Sequence, residues 1–236
     1  HLGHYHCSSC NYRRPEPDIK LTGRRINSAG TAVLQISLPN KKMELAFPLM
    51  GTYNLYNLLA AVTCAQALSI PAAVISQALE KAVPSFGRME TFKLNSKTII
   101  MALIKNPVGA NEVLRTILTQ KDNIAVMMAI NDKIADGTDV SWLWDVDFEQ
   151  LSAVKDKLSA VLVSGLRAWD MAVRFKYAGF NPDQIQLEEE TNLAINKAIE
   201  KTPPGGLLFI LPTYTAMLEI RRTLNKMGLG KPYWED

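Results

Sequence analysis

Residues 131–145, NDKIADGTDVSWLWD, set four aspartates, one glycine and two tryptophans directly after the apolar run Ile124–Ile130. That run reads as a buried parallel strand, so the carboxylates fall just past its carboxyl end, where open α/β sheets gather ligands and reacting groups. A carboxylate there could orient a histidine, assist proton transfer or bind a metal. Local duties divide the set. Asp136-Gly137 has the composition of a turn, and Asp145 and Asp147 precede an expected helix that either could cap. Asp139, ahead of Ser141-Trp142, has no obvious backbone duty and is the candidate catalytic residue; a solvated loop carboxylate is the alternative.

Other residues carry weaker signals. Cys7 and Cys10 have the CxxC spacing of two thiolates on one tetrahedral zinc. No second pair follows, since Cys64 lies in an apolar helix, and His1, His4 and His6 are too crowded to complete a site. Half of a four-cysteine ribbon fits this pattern, as do two cysteines without metal. GTYNLYNLLAA (51–61) puts Asn54 and Asn57 in the first turns of a helix, as caps or as polar groups presented to a ligand. Arg88, in GRME, has the planar fork that suits a phosphate across an interdomain cleft; a salt bridge with Glu90 or a neighbour is the simpler alternative. LIKNPVGANEVL (103–114) leaves a strand and enters a helix whose first amides could hold an anion beside Lys105.

The elements that would position these residues follow a regular order. Residues 19–49 read as strands, with Thr31–Leu38 and Met43–Leu49 forming a hairpin about PNKK. Helical spacing of Leu55, Leu58, Leu59, Val62, Ala65 and Leu68 predicts a helix over 51–70. A second opens at Pro71 and runs to about Val83. Ser85-Phe86-Gly87 marks a break, and a domain boundary is expected near residue 86. Beyond it, strands are expected at 89–94, 98–104, 124–130, 160–164, 185–187 and 207–211. Helices are expected at 110–119, 148–157, 167–177, 192–201 and 215–227. The alternation predicts a doubly wound, mostly parallel α/β sheet of about six strands. The short link 95–97 makes its first two strands an antiparallel edge hairpin.

Composition narrows the function. The chain has 236 residues, 47% of them hydrophobic and 21% charged, with a net charge of +3; these are globular values and give no case for nucleic acid. No run is long enough for a membrane span, and three cysteines make no disulfide framework, so a cytoplasmic location is expected. There is no GxxxxGK[ST] phosphate loop, GLGKP (228–232) lacking the spacing, and no G-x-S-x-G elbow. The opening HLGHYHCSSCNYRRPEPD has neither strand nor helix pattern, and the chain reads as part of a larger protein.

In order, these segments resemble the Mur ligase superfamily. GTYNLYNLLAA is similar to a segment late in its central ATPase domain, and GRME to the start of its C-terminal domain. LIKNP stands where peptide-adding members carry an aspartate–histidine–proline type of turn. That departure, with HYHCSSCNYRRPEP and AINDKIADGTDVSWLWDVDFE, resembles the branch whose central domain carries an inserted four-cysteine zinc ribbon. The resemblance implies that residues 1–86 end the central domain, with a zinc-ribbon remnant over 1–18, and that 87–236 form the C-terminal domain. It implies ATP- and Mg²⁺-dependent amidation of the D-isoglutamate α-carboxylate in lipid II, a step of peptidoglycan synthesis at the inner membrane face. Ammonia would come from a GatD-type class I glutaminase in a heterodimer. By position, Asn57 would contact the nucleotide with Asn54 close by, Arg88 would face the phosphates, and Cys7 and Cys10 would bind structural zinc. Asp139 would complete a Cys–His–Asp triad split between two chains. The phosphate loop and most Mg²⁺ ligands would then lie upstream of residue 1. Competing readings are an amino-acid-adding ligase of the Mur or folylpolyglutamate type and a noncatalytic partner-binding module.

Overall fold

The computed structural model describes residues 3–27, 31–83, 86–120 and 123–230. His1, Ser85 and the Lys231-Pro232 end of GLGKP lie outside the described residues. The chain divides into two compact units, His1–Leu49 with Tyr53–Val83 and Met50–Thr52 with Pro84–Asp236.

The first unit is a three-stranded antiparallel sheet of β1 (Lys20–Ile26), β2 (Ala32–Leu38) and β3 (Lys41–Phe47), followed by α1 (Thr52–Ala67) and α2 (Ala72–Glu80). Side chains alternate faces along a strand. Leu34, Ile36 and Leu38 on β2 and Met43, Leu45 and Phe47 on β3 therefore share one face, with Leu34 opposite Leu45 and Ile36 opposite Met43. Leu58 and Val62 of α1 and Ile75 of α2 close that face into a core.

The second unit holds β4 (Arg88–Leu94), β5 (Lys97–Ala102), α3 (Pro107–Leu118), β6 (Ile124–Ala129), α4 (Glu149–Ser152), β7 (Leu158–Ser164), α5 (Ala168–Tyr177), β8 (Ile185–Leu187), α6 (Thr191–Lys201), β9 (Leu207–Pro212) and α7 (Tyr214–Lys226). Its six strands run in the order β4-β5-β9-β6-β7-β8, and β4–β5 is the antiparallel pair. The other pairings are parallel, as expected for a doubly wound sheet. Every residue of β6 is buried, the mark of a strand covered on both faces. Ala125, Met127 and Ala129 join Leu208 and Ile210 of β9 against Ala194, Ile195 and Ala198 of α6 and Met217, Ile220 and Leu224 of α7. By alternation Val126 and Met128 point to the opposite layer, where α5 packs on β6, β7 and β8.

The helix expected over 148–157 does not form as one piece. It is the four-residue α4 and a 3₁₀ turn at Lys155–Lys157, after which β7 starts at Leu158, earlier than expected. Pairing with Ile124 brings Leu158 into β7.

Candidate active-site edge and partner-facing loop

The acidic segment leaves the sheet at the carboxyl end of β6 and is fastened there by buried polar contacts. Asn131 is 2% exposed. Its backbone N–H donates to Thr213 Oγ1 at 2.9 Å, its Nδ2 donates to Thr215 Oγ1 at 3.0 Å, and its Oδ1 accepts from the Leu166 N–H at 3.0 Å. Gly165 allows this approach: its φ is +87°, and a Cβ there would meet the Ile130 carbonyl at 2.6 Å and Asn131 Oδ1 at 2.7 Å. Asp132 is half-buried and pairs with Arg167 at 2.6 Å, holding that guanidinium's pKa above its usual range.

Asp136 does more than make the expected turn. Its carboxylate accepts from the Thr215 N–H at 2.7 Å, from Thr215 Oγ1 at 2.6 Å and from the Lys133 N–H at 3.2 Å. Lys133 in turn bonds Glu219 of α7 at 2.9 Å. The expected caps at Asp145 and Asp147 are absent: Phe148 occupies the N-cap position of α4 without a side-chain cap. Asp147 instead donates its N–H to Asn111 Oδ1 at 2.9 Å and accepts from Gln150 Nε2 at 3.3 Å.

Asp139 is exposed, and it has a local duty that its neighbours in sequence did not reveal. Its Oδ1 accepts from the Ser141 N–H at 2.8 Å. That backbone donor, helped by the Ser141 hydroxyl, holds the carboxyl below the ordinary carboxylate range. The group is thus an oriented anion on the outer surface, suited to accept a hydrogen bond from another molecule.

The stretch after it is held by Arg174, a residue that sequence reading missed. Arg174 lies on α5 and is 3% exposed. Its Nε donates to the Leu143 carbonyl at 3.0 Å, and its Nη2 donates to the Val146 carbonyl at 2.6 Å and to Glu149 at 2.9 Å. The guanidinium also sits 5.5 Å from the Trp144 ring centroid and 5.3 Å from that of Phe148. The hydrogen bond from Arg174 lowers the Glu149 pKa. A cation among Ala168, Met171 and Phe175 on the buried stripe of α5 was the available signal, because a buried charge demands partners. Outside this clamp, Trp144 packs edge-on to Tyr177 at 5.6 Å. Trp144, Trp169, Val173 and Tyr177 are all exposed.

The remaining candidates fall elsewhere. Asn54 is buried and Asn57 exposed, one turn apart on α1. Arg88 is exposed at the start of β4, beside Gly87 (φ +69°) and Met89 (φ +59°). Of its possible salt-bridge partners, Glu90 is taken by buried Arg221. Asn106 caps α3, accepting from the Gly109 N–H at 2.8 Å, and so occupies one amide of that possible anion site. Cys7 and Cys10 form a narrow hairpin closed by Cys7 N–H to Tyr12 carbonyl at 2.8 Å and Arg14 N–H to Tyr5 carbonyl at 3.0 Å. The Ser9 N–H points at Cys7 Sγ at 3.4 Å, and it and Cys10 lower the Cys7 thiol pKa. This turn suits thiolate ligation, but among the described residues no group of three metal-ligating side chains assembles. The pair is at most half of a four-ligand site.

Residues 103–217 match the family model described as MurT ligase C-terminal. The chain is 35% identical over 94% of its length to the lipid II isoglutaminyl synthase (glutamine-hydrolyzing) subunit MurT of Streptococcus pneumoniae, of which it covers 48%. It is 30% identical over 97% of its length to the subunit of the same name in Staphylococcus aureus, of which it covers 49%. It thus spans about half the length of the curated relatives it matches. Among solved structures, a crystal structure of MurF from Acinetobacter baumannii superposes with a TM-score of 0.65 at 20% identity, over 87% of this chain and 45% of that one. The chain shares its fold with MurF, and residues 103–217 within its second unit are similar to the MurT ligase C-terminal family.

Proposed function

We propose that this chain is part of the synthetase subunit of a lipid II isoglutaminyl synthase, a glutamine-dependent carbon–nitrogen ligase of peptidoglycan synthesis. The observation that carries the reading is likeness to two subunits of that name across nearly the whole chain, at 35% and 30% identity. In the proposed reaction the D-isoglutamate α-carboxylate of lipid II attacks the γ-phosphorus of ATP, giving an acyl phosphate and ADP. Ammonia adds to the acyl carbon, the nitrogen loses a proton, and collapse of the tetrahedral intermediate expels inorganic phosphate, leaving the amide. Mg²⁺ supplies neutralisation of phosphate charge; no residue described here is assigned to it. The work is done at the inner face of the membrane; no helix among the described residues is long and apolar enough to cross it.

The roles proposed for individual residues rest on their match to the family's segments, and their degree of exposure is compatible with them. Asn57, exposed on α1, takes the nucleotide, with buried Asn54 setting the helix face beneath it. Arg88, exposed at the start of β4, takes phosphate. Asp139 reaches a GatD-type glutaminase in a heterodimer and orients the histidine of that partner's cysteine–histidine pair, as the carboxylate does in other triads. Its exposure, its ionised state and the aromatic surface of Trp144 and Tyr177 beyond the same turn support an interface here, since exposed aromatic residues are enriched at protein contacts. Cys7 and Cys10 give two ligands of a structural zinc.

The test of the reading is amidation of lipid II by the full chain paired with a glutaminase, supplied with ATP and glutamine. Two variants examine its parts. Asn57→Ala should raise the Kd for ATP about tenfold, the worth of one good hydrogen bond to a charged group, while glutamine hydrolysis changes less. An unchanged Kd would remove Asn57 from the nucleotide site. Zinc measured by atomic absorption should be stoichiometric in the full chain and lost when Cys7 and Cys10 are both replaced by serine; zinc retained in that variant would refute the ligand assignment.

A further inference from the structure

The loop that presents Asp139 is fastened at both ends to one residue of another element. Thr215 is the second residue of α7, and the N-cap of that helix, Thr213, makes no side-chain cap hydrogen bond. Asp136 supplies the missing cap from across the sheet edge: its two carboxylate oxygens take the Thr215 N–H at 2.7 Å and the Thr215 hydroxyl at 2.6 Å. A carboxylate at a helix N-terminus also meets the favourable end of the helix dipole. The same hydroxyl oxygen accepts from Asn131 Nδ2 at 3.0 Å, so residues 131 and 136, the start and the end of the first bend, converge on one side chain. Lys133–Glu219 adds a further tie to α7 at 2.9 Å. Gly137, with φ +88°, then turns the chain outward, and Asp139 follows two residues later.

We infer that Thr215, Asp136 and Asn131 are positioning residues for glutamine-dependent nitrogen delivery: they hold the base of the loop so that the Asp139 carboxylate stands where a partner's histidine can use it. This rests on the proposed role of Asp139. The network is polar and connected: the Thr215 hydroxyl serves Asp136 and Asn131 together, so its loss removes a bond from each. Displacement of a catalytic group by about 1 Å can cost on the order of 10²-fold in rate. The tie should act on glutamine use more than on the ATP-dependent chemistry, because it holds the segment that carries Asp139.

The experiment uses the full chain assembled with its glutaminase and compares amidation supported by glutamine with amidation supported by added ammonium. Thr215→Val should lower the glutamine rate by roughly 10–10²-fold and leave the ammonium rate within about twofold of wild type, which also reports that the variant folds. Thr215→Ser should restore the ratio, since the hydroxyl is the working part. Asp136→Asn, which keeps the shape but loses one acceptor, should move the ratio the same way. Combining Thr215→Val with Asp139→Asn should lower the glutamine rate no further than Asp139→Asn alone, as expected for residues that act through one another. Equal losses with both nitrogen sources, or failure of serine to restore the ratio, would overturn the inference. If Asp139→Asn shifts the ratio and Thr215→Val does not, only the positioning role fails; if Asp139→Asn leaves the ratio unchanged, the role of Asp139 fails and this inference with it.

Discussion

Replacing Asp139 with asparagine in the two-chain enzyme is expected to reduce glutamine-supported amidation by about 10³–10⁴-fold, the loss seen when a triad carboxylate becomes an amide, while ammonium still supports the reaction. The asparagine keeps the size of the side chain and can still accept from the Ser141 N–H, which Asp139 now does at 2.8 Å. What it loses is the negative charge that fixes a neighbouring imidazole in one tautomer and stabilises its protonated form. Because Asp139 is exposed and the asparagine keeps the bond from Ser141, the variant should melt close to wild type, so the effect is chemical. Equal loss with glutamine and ammonium would assign Asp139 to the synthetase reaction or to folding instead.

Arg174→Met should have the largest effect on stability. The guanidinium satisfies the carbonyls of Leu143 and Val146, residues that are each 1% exposed. Methionine fills similar space but donates nothing, and an acceptor left buried without a partner costs about 1–3 kcal/mol. Losing both carbonyl partners should lower the melting temperature by on the order of 10 °C, at about 2–4 °C per kcal/mol. Lysine should rescue little, because one ammonium cannot reproduce a planar fork serving the two carbonyls and Glu149 together. If the proposed interface holds, the same variant should also weaken binding of a GatD-type glutaminase, since Trp144 rests on the guanidinium. An unchanged melting curve would show that the clamp does not hold this turn.

The parts of the fold legible in the sequence were those whose pattern is local. Runs such as Ile124–Ala129 and Leu207–Pro212 announce buried strands, and the short link after Leu94 announces the edge hairpin. The expected helix at 148–157 is interrupted at Ala153 and Val154, between α4 and the 3₁₀ turn. Within the site, Asp139 was singled out by elimination, and one step of that elimination was faulty: its side chain does serve the backbone, through Ser141. Asp136 looks like a turn residue in the sequence because its partner, Thr215, stands far along the chain and only the pairing of β6 with β9 brings the two together. Arg174 was overlooked for the same reason, its acceptors being carbonyls on another element. Tertiary polar contacts leave no periodic trace, so a charged residue on an apolar stripe is the one local hint of them.

The measurement that bears most directly on the account follows glutamine labelled at its amide nitrogen into lipid II. The full chain, paired with a GatD-type glutaminase and given ATP, should convert the stem-peptide α-carboxylate to an amide carrying the label, detected by mass spectrometry. Asp139→Asn should abolish labelling from glutamine while unlabelled ammonium still yields the amide. Incorporation of an intact amino acid instead of a single nitrogen, or labelling undiminished in the Asp139 variant, would contradict it.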